Sequence, residues 1–152
     1  MKKLLLIIFC ILVLAPVANA EKLPIKITPA QVITTNANEI EVGDWIKFKT
    51  VNDVFYKNKL LIKKDTPIVG VVDHVHENGL VADNAEIIFQ TFYVRNIEKN
   101  LIKFNYPLYI GRRNSVCKTF GDKVEKYFLV IFKGNEVNVQ PESTVYNLFL
   151  YK

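Results

Sequence analysis

Apolar and polar residues alternate with a period of two along most of this chain, and short polar corners break the alternation. Residues 44–50 (DWIKFKT) put Ile46 and Phe48 on one face and Lys47 and Lys49 on the other, the pattern of a half-buried strand. Residues 53–56 and 60–62 flank Lys57-Asn58-Lys59 and predict a hairpin. Residues 60–75 (LLIKKDTPIVGVVDHV) predict strand, corner and strand, with the corner at 63–67. Asn78-Gly79 tolerates the positive φ of a tight turn, and the long β-branched and aromatic run 86–94 (EIIFQTFYV) follows it. Residues 95–100 turn the chain, and 101–104 answer as the partner strand. In 106–110 (YPLYI) the proline belongs at an edge or at the start of a strand. Residues 127–132 (YFLVIF) are uninterruptedly apolar and predict a central strand, and 145–151 predict the last one.

The corner is used twice. At a constant offset Leu60 matches Val137, Ile62 matches Val139, Asp65 matches Glu142, and Thr66 matches Ser143. Continued, the offset matches Ile68 with Val145 and Val72 with Phe149. Eight to ten short strands with regular turns, and no sustained 3.6-residue period, predict an all-β domain, a small barrel or sandwich. Residues 43–152 form that domain, and 21–42, sparse in core signals, are expected as an extended arm that pairs onto the sheet. The expected core includes Ile46, Phe48, Ile62, Ile68, Ile87, Phe89, Leu129, Ile131 and Val145. A transmembrane barrel would also fit into this length, but its strands run to about 10 residues with apolar side chains outward. The strands that the alternation predicts here are shorter.

The first twenty residues change the picture of location. Lys2-Lys3, the apolar run 4–14 and Ala18-Asn19-Ala20 are the three parts of a secretory leader, with cleavage expected after Ala20. Cys10 lies inside the apolar run, without the small residue that precedes a lipidated cysteine. A periplasmic or secreted bacterial protein is therefore expected, with a mature chain of 132 residues. Loss of Lys2 and Lys3 lowers the formal charge from +5 to +3, and the remaining basic residues are scattered, which argues against nucleic acid as a partner. Cys117 becomes the only thiol, so the core holds without an internal disulfide.

Candidate chemistry is sparse. His74 and His76, at i and i+2, share a strand face and could begin a zinc or copper site. Asp73 and Glu77 point the other way on a regular strand, and two ligands fall short of the four a structural zinc site takes, so no metal or other cofactor is assigned. Cys117 paired with a histidine would be a nucleophile and base, but no local catalytic signature surrounds it. The mature chain's serines, Ser115 and Ser143, offer no better, since Ser143 sits where a hydroxyl caps a turn. Residues 111–126 have no strand character, and Arg112, Arg113 and Lys118 make them basic enough to dock an anionic surface. Trp45 falls on the lysine face of its strand. It is either an exposed partner or glycan site or is covered by the arm at 21–42.

The run 52–72 (NDVFYKNKLLIKKDTPIVGVV) resembles a strand–turn–strand pattern of exported bacterial β-proteins, including the barrel domain of the channel-scaffold subunit of type IV secretion and conjugation systems. Residues 137–151 are similar to that domain's closing element. Asp65 and Glu142 stand where the pattern has glycine, and the anchor, proline-rich spacer and pore helices of the scaffold have no counterpart here. The resemblance implies a barrel in the cell envelope and carries no catalytic residues. The function expected is a non-enzymatic envelope protein that binds another protein or an envelope surface. The alternative is a small metal-binding or hydrolytic enzyme using His74, His76 or Cys117.

Overall fold

The computed structural model describes residues 21–36, 39–79, 84–111 and 135–151. Among these residues ten strands occur in chain order: β1 (Lys22–Pro29), β2 (Ile33–Thr34), β3 (Trp45–Thr50), β4 (Val54–Tyr56), β5 (Lys59–Ile62), β6 (Pro67–His76), β7 (Glu86–Arg95), β8 (Leu101–Gly111), β9 (Asn138–Val139) and β10 (Tyr146–Tyr151). No α-helix occurs among the described residues. Six strands form one antiparallel sheet in the order β10-β1-β3-β6-β7-β8, curled into a nearly closed barrel, while β2-β9 and β4-β5 are separate two-stranded pairs. At the seam the outermost strands approach each other, and the rings of Tyr106 on β8 and Phe149 on β10 lie 5.8 Å apart. The fold is all-β and barrel-like, as the alternation predicts, but β6, β7 and β8 have 10, 10 and 11 residues, longer than expected, and 101–104 and 106–110 are parts of one strand.

Residues 21–42 supply β1 and β2. β1 is flanked by β10 on one side and β3 on the other, and it buries Leu23, Ile25 and Ile27. Ile46, Phe48, Ile62, Ile68, Ile87 and Phe89 are buried, as expected. Leu129, Ile131 and the run 127–132 lie outside the described residues.

The two corners are the same structure. Asp65 and Glu142 both adopt positive φ, 63° and 61°. Thr66 Oγ1 donates to the Lys63 carbonyl at 2.6 Å, and Ser143 Oγ donates to the Gln140 carbonyl at 2.7 Å. Each corner is pinned to a strand end: Asp65 N–H donates to Thr50 O at 2.9 Å, and Glu142 N–H to Pro29 O at 3.0 Å. Just before each corner the same pairing recurs, Val54 with Ile62 and Ile33 with Val139. The barrel thus contains two copies of one unit. One is contiguous (β3 to β6), and the other is split between β1-β2 and β9-β10.

Beyond the corners the constant offset fails, and the expected burial of Val145 fails with it. Ile68 is fully buried, whereas Val145 is 48% exposed. Phe48, two residues before Thr50, pairs with Ile68, two residues after Thr66, whereas Ile27, two residues before Pro29, pairs with Tyr146, three residues after Ser143, so the second copy carries one additional residue. A one-residue shift exchanges the faces of a strand. Leu148 and Leu150 therefore enter the core, and Phe149 turns out, where Lys22 Nζ sits 3.8 Å from its ring centroid.

The long run 86–94 also departs from a strict period of two. Phe89 and Phe92 are both fully buried although they are three residues apart. The β6–β7 register shifts there: Gln90 is left between the pairs Val72–Phe89 and Val71–Thr91, and Asp73 is then left between Val72 and His74. These are two compensating β-bulges, and Gln90 Nε2 donates to Asp73 Oδ2 at 3.0 Å.

The centre of the core is a ring cluster around Gly70. Phe48 meets Phe89 edge-on at 5.5 Å, Phe92 lies 6.1 and 6.2 Å from the two of them, and Phe104 stacks on Phe92 at 5.5 Å. A methyl group on Gly70 would lie 2.8 Å from Phe92 Cε1, 3.0 Å from Phe48 Cε2 and 3.1 Å from Phe89 Cδ1. Gly70→Ala is therefore expected to cost about 1–3 kcal/mol by overpacking, read as a lowered urea midpoint. At the first corner the left-handed backbone strains an L side chain, so Asp65→Gly should gain about 0.5–1 kcal/mol and Asp65→Ala should lose stability. An unfolding series in which glycine is no better than alanine at residue 65 would contradict this account of the corner.

Candidate binding surface on the outer face

The inward set of β3 is Ile46, Phe48 and Thr50, so its outward set is Trp45, Lys47 and Lys49. On β7 the Gln90 bulge resets the alternation: Phe92 and Val94 point in, and Tyr93 points out. The ladders place these outward residues in two neighbouring cross-strand rows. One reads Lys47, Val69, Tyr93, Lys103 over β3, β6, β7 and β8, and the other Trp45, Val71, Thr91, Asn105. Trp45 leans across β6 onto Tyr93, with ring centroids 5.8 Å apart and planes within 10° of parallel. Lys103 Nζ lies 5.9 Å from the Tyr93 centroid on the other side. Thr91 Oγ1 donates to Asn105 Oδ1 at 3.3 Å.

Trp45 is 65% exposed. The segment from the N-terminal side does not cover it. β1 pairs with the far end of β3, at 48–50, and beyond it Ala30 N–H and Gln31 Oε1 bond the backbone of Lys47. Of the two environments open for Trp45, the structure shows the exposed one.

His74 and His76 do share the outer face, beyond the bulges. His74 stands opposite Ile88 and His76 opposite Glu86, while Val75 between them faces the buried Ile87. The strand is not regular at Asp73, which occupies the bulge and bonds Gln90. No group of three or more His, Cys, Asp or Glu that could hold a metal occurs among the described residues. Ser143 Oγ is committed to its corner carbonyl. Arg112, Arg113, Cys117 and Lys118 lie outside the described residues, as does Ser115.

Two further features lie near the outer-face strip of Trp45, Tyr93, Lys47 and Lys103, hereafter the ledge. Lys49, two residues beyond Lys47, is clasped by Glu142 at 2.7 Å, and this hydrogen bond raises the Lys49 pKa above its ordinary 10.5. A cleft of about 280 Å³ opens between the β4–β5 turn and the β7–β8 turn, lined by Tyr56, Lys57, Lys59, Leu60, Ile97 and Glu98 among others. It lies at the end of the barrel and holds no constellation of catalytic type among those residues.

Sequence reasoning found Trp45 on the face of Lys47 but missed its cross-strand neighbours Tyr93 and Lys103. Their juxtaposition depends on register across four strands, which period-two reading leaves open. Because Trp45 contacts its surroundings only on the outer face, Trp45→Ala should change unfolding free energy by no more than about 0.5 kcal/mol. Trp45 fluorescence should also be quenched readily by acrylamide, and a stability loss as large as that of a core residue would show that the ring is structural.

No protein-family model, curated protein or solved structure matches this chain.

Proposed function

We propose that this chain is an exported, non-enzymatic module of the bacterial cell envelope that binds an envelope component through the outer face around Trp45 and Tyr93. The observation that carries the reading is the near-parallel Trp45–Tyr93 pair on the outer face of the sheet, with Trp45 exposed and Tyr93 half-buried. An exposed large aromatic side chain that serves no core is the kind of group that anchors recognition, since its area is presented at little entropic cost. The leader-like residues 1–20 and the resemblance of 52–72 to a scaffold barrel support the envelope as the place of action. Lys22, Lys26, Lys47 and Lys103 on the outward faces fit a barrel that works in water and meets its partner through side chains.

The test is co-sedimentation of purified protein with washed bacterial envelope fragments. Bound protein is expected to fall about tenfold or more in a Trp45→Ala/Tyr93→Ala variant whose circular dichroism matches the parent. Equal sedimentation of parent and variant would remove the ledge from the function.

A further inference from the structure

The ledge carries its cations in a fixed relation to its rings. Lys47 and Lys103 stand at the two ends of the row that holds Tyr93, on β3 and β8, with β6 and β7 between them. Neither ammonium belongs to an ion pair among the described residues, in contrast to the nearby Lys49, which Glu142 neutralises. Between the two charges lie a flat aromatic pair, the apolar sides of Val69 and Val71, and the Thr91–Asn105 hydrogen bond, whose amide keeps its N–H donors.

We propose that this ledge is a binding site for an acidic polysaccharide, one chain of uronic-acid type lying across β3, β6, β7 and β8. The C–H faces of the sugar rings pack on Trp45 and Tyr93, the carboxylates meet Lys47 and Lys103, and hydroxyls meet Asn105. The inference rests on the reading of this face as the binding surface and adds the class of its ligand.

Other occupants fit less well. An added peptide strand needs a free edge, but β6 and β7, which carry the middle of the ledge, are paired on both sides. A protein interface wants a core depleted in lysine and roughly 800 Å² per partner, whereas here lysines bracket a narrow aromatic strip. Single-stranded nucleic acid also stacks on aromatic rings, but it follows a continuous cationic groove. This face offers two separated ammonium groups.

The chain's single tryptophan, Trp45, supplies the signal. The protein is titrated with a short oligogalacturonate, with a neutral cello-oligosaccharide of equal length, and with oligothymidylate, following Trp45 emission. A saturable change is expected with oligogalacturonate, weakened by added salt and reduced about fivefold or more in affinity by Lys47→Gln/Lys103→Gln. Lys49→Gln, which removes a lysine already neutralised by Glu142, should leave that affinity unchanged. Equal affinity for the neutral sugar, preference for oligothymidylate, indifference to the lysine pair, or no binding would each overturn the proposal. If oligogalacturonate fails while envelope sedimentation still depends on Trp45 and Tyr93, only the ligand class falls. If both fail, the reading of this face falls with it.

Discussion

The barrel depends on one close approach. Phe48, Phe89 and Phe92 converge on the backbone of β6 at Gly70, the residue there without a Cβ, and the rings fill the space a side chain would take. Each edge-on or offset ring pair contributes about 0.5–1.5 kcal/mol beyond its buried area. Because Phe48 is on β3 and the other two rings are on β7, the cluster fixes how these strands curl around β6. The remaining inward residues, from Leu23 on β1 to Leu150 on β10, extend that centre toward the seam.

The corners solve a different problem. A strand that leaves one pair and enters the main sheet must reverse direction without losing its hydrogen bonds. Both copies do so with a left-handed residue, a hydroxyl that returns to the carbonyl three residues back, and an N–H tied to the end of a neighbouring strand. Acidic residues occupy the left-handed position in both. Glu142 gains an ion pair with Lys49 from its place there, whereas no ion pair of Asp65 is seen among the described residues. The split copy joins β1 to β10, so half of this architecture closes only when these two strands, distant in sequence, meet. Such non-local pairing slows folding.

Much of this was legible in the sequence. The repeated corner marked itself by residue type, since an acidic residue followed by a hydroxyl between β-branched runs has few other structural uses. The core of β3 and the entry of β6 followed from alternation alone. Val145 was misread because one extra residue after Ser143 flips the faces of β10, and a single insertion leaves no trace in composition. The role of 21–42 was muted in the sequence by Pro24 and Pro29, yet Leu23, Ile25 and Ile27 alternate as a core strand should. Of the candidate site, only Trp45 and the lysine face of its strand were visible, because a site assembled from four strands exists only in the register.

That register turns on Gln90. Counting inward from Phe89 with a period of two would bury Thr91 and Tyr93 and expose Phe92, and the core would lose the ring that contacts both Phe48 and Phe104. The unpaired Gln90 shifts the count, so that Phe92 joins the core and Tyr93 emerges beneath Trp45. Asp73 restores the pairing on β6 and accepts the Gln90 amide, which satisfies the polar group that the bulge leaves over. The same irregularity thus serves the inside and the outside of the barrel. Its inner consequence is the aromatic centre on which the fold rests, and its outer consequence is the near-parallel aromatic pair, set on two strands of the main sheet.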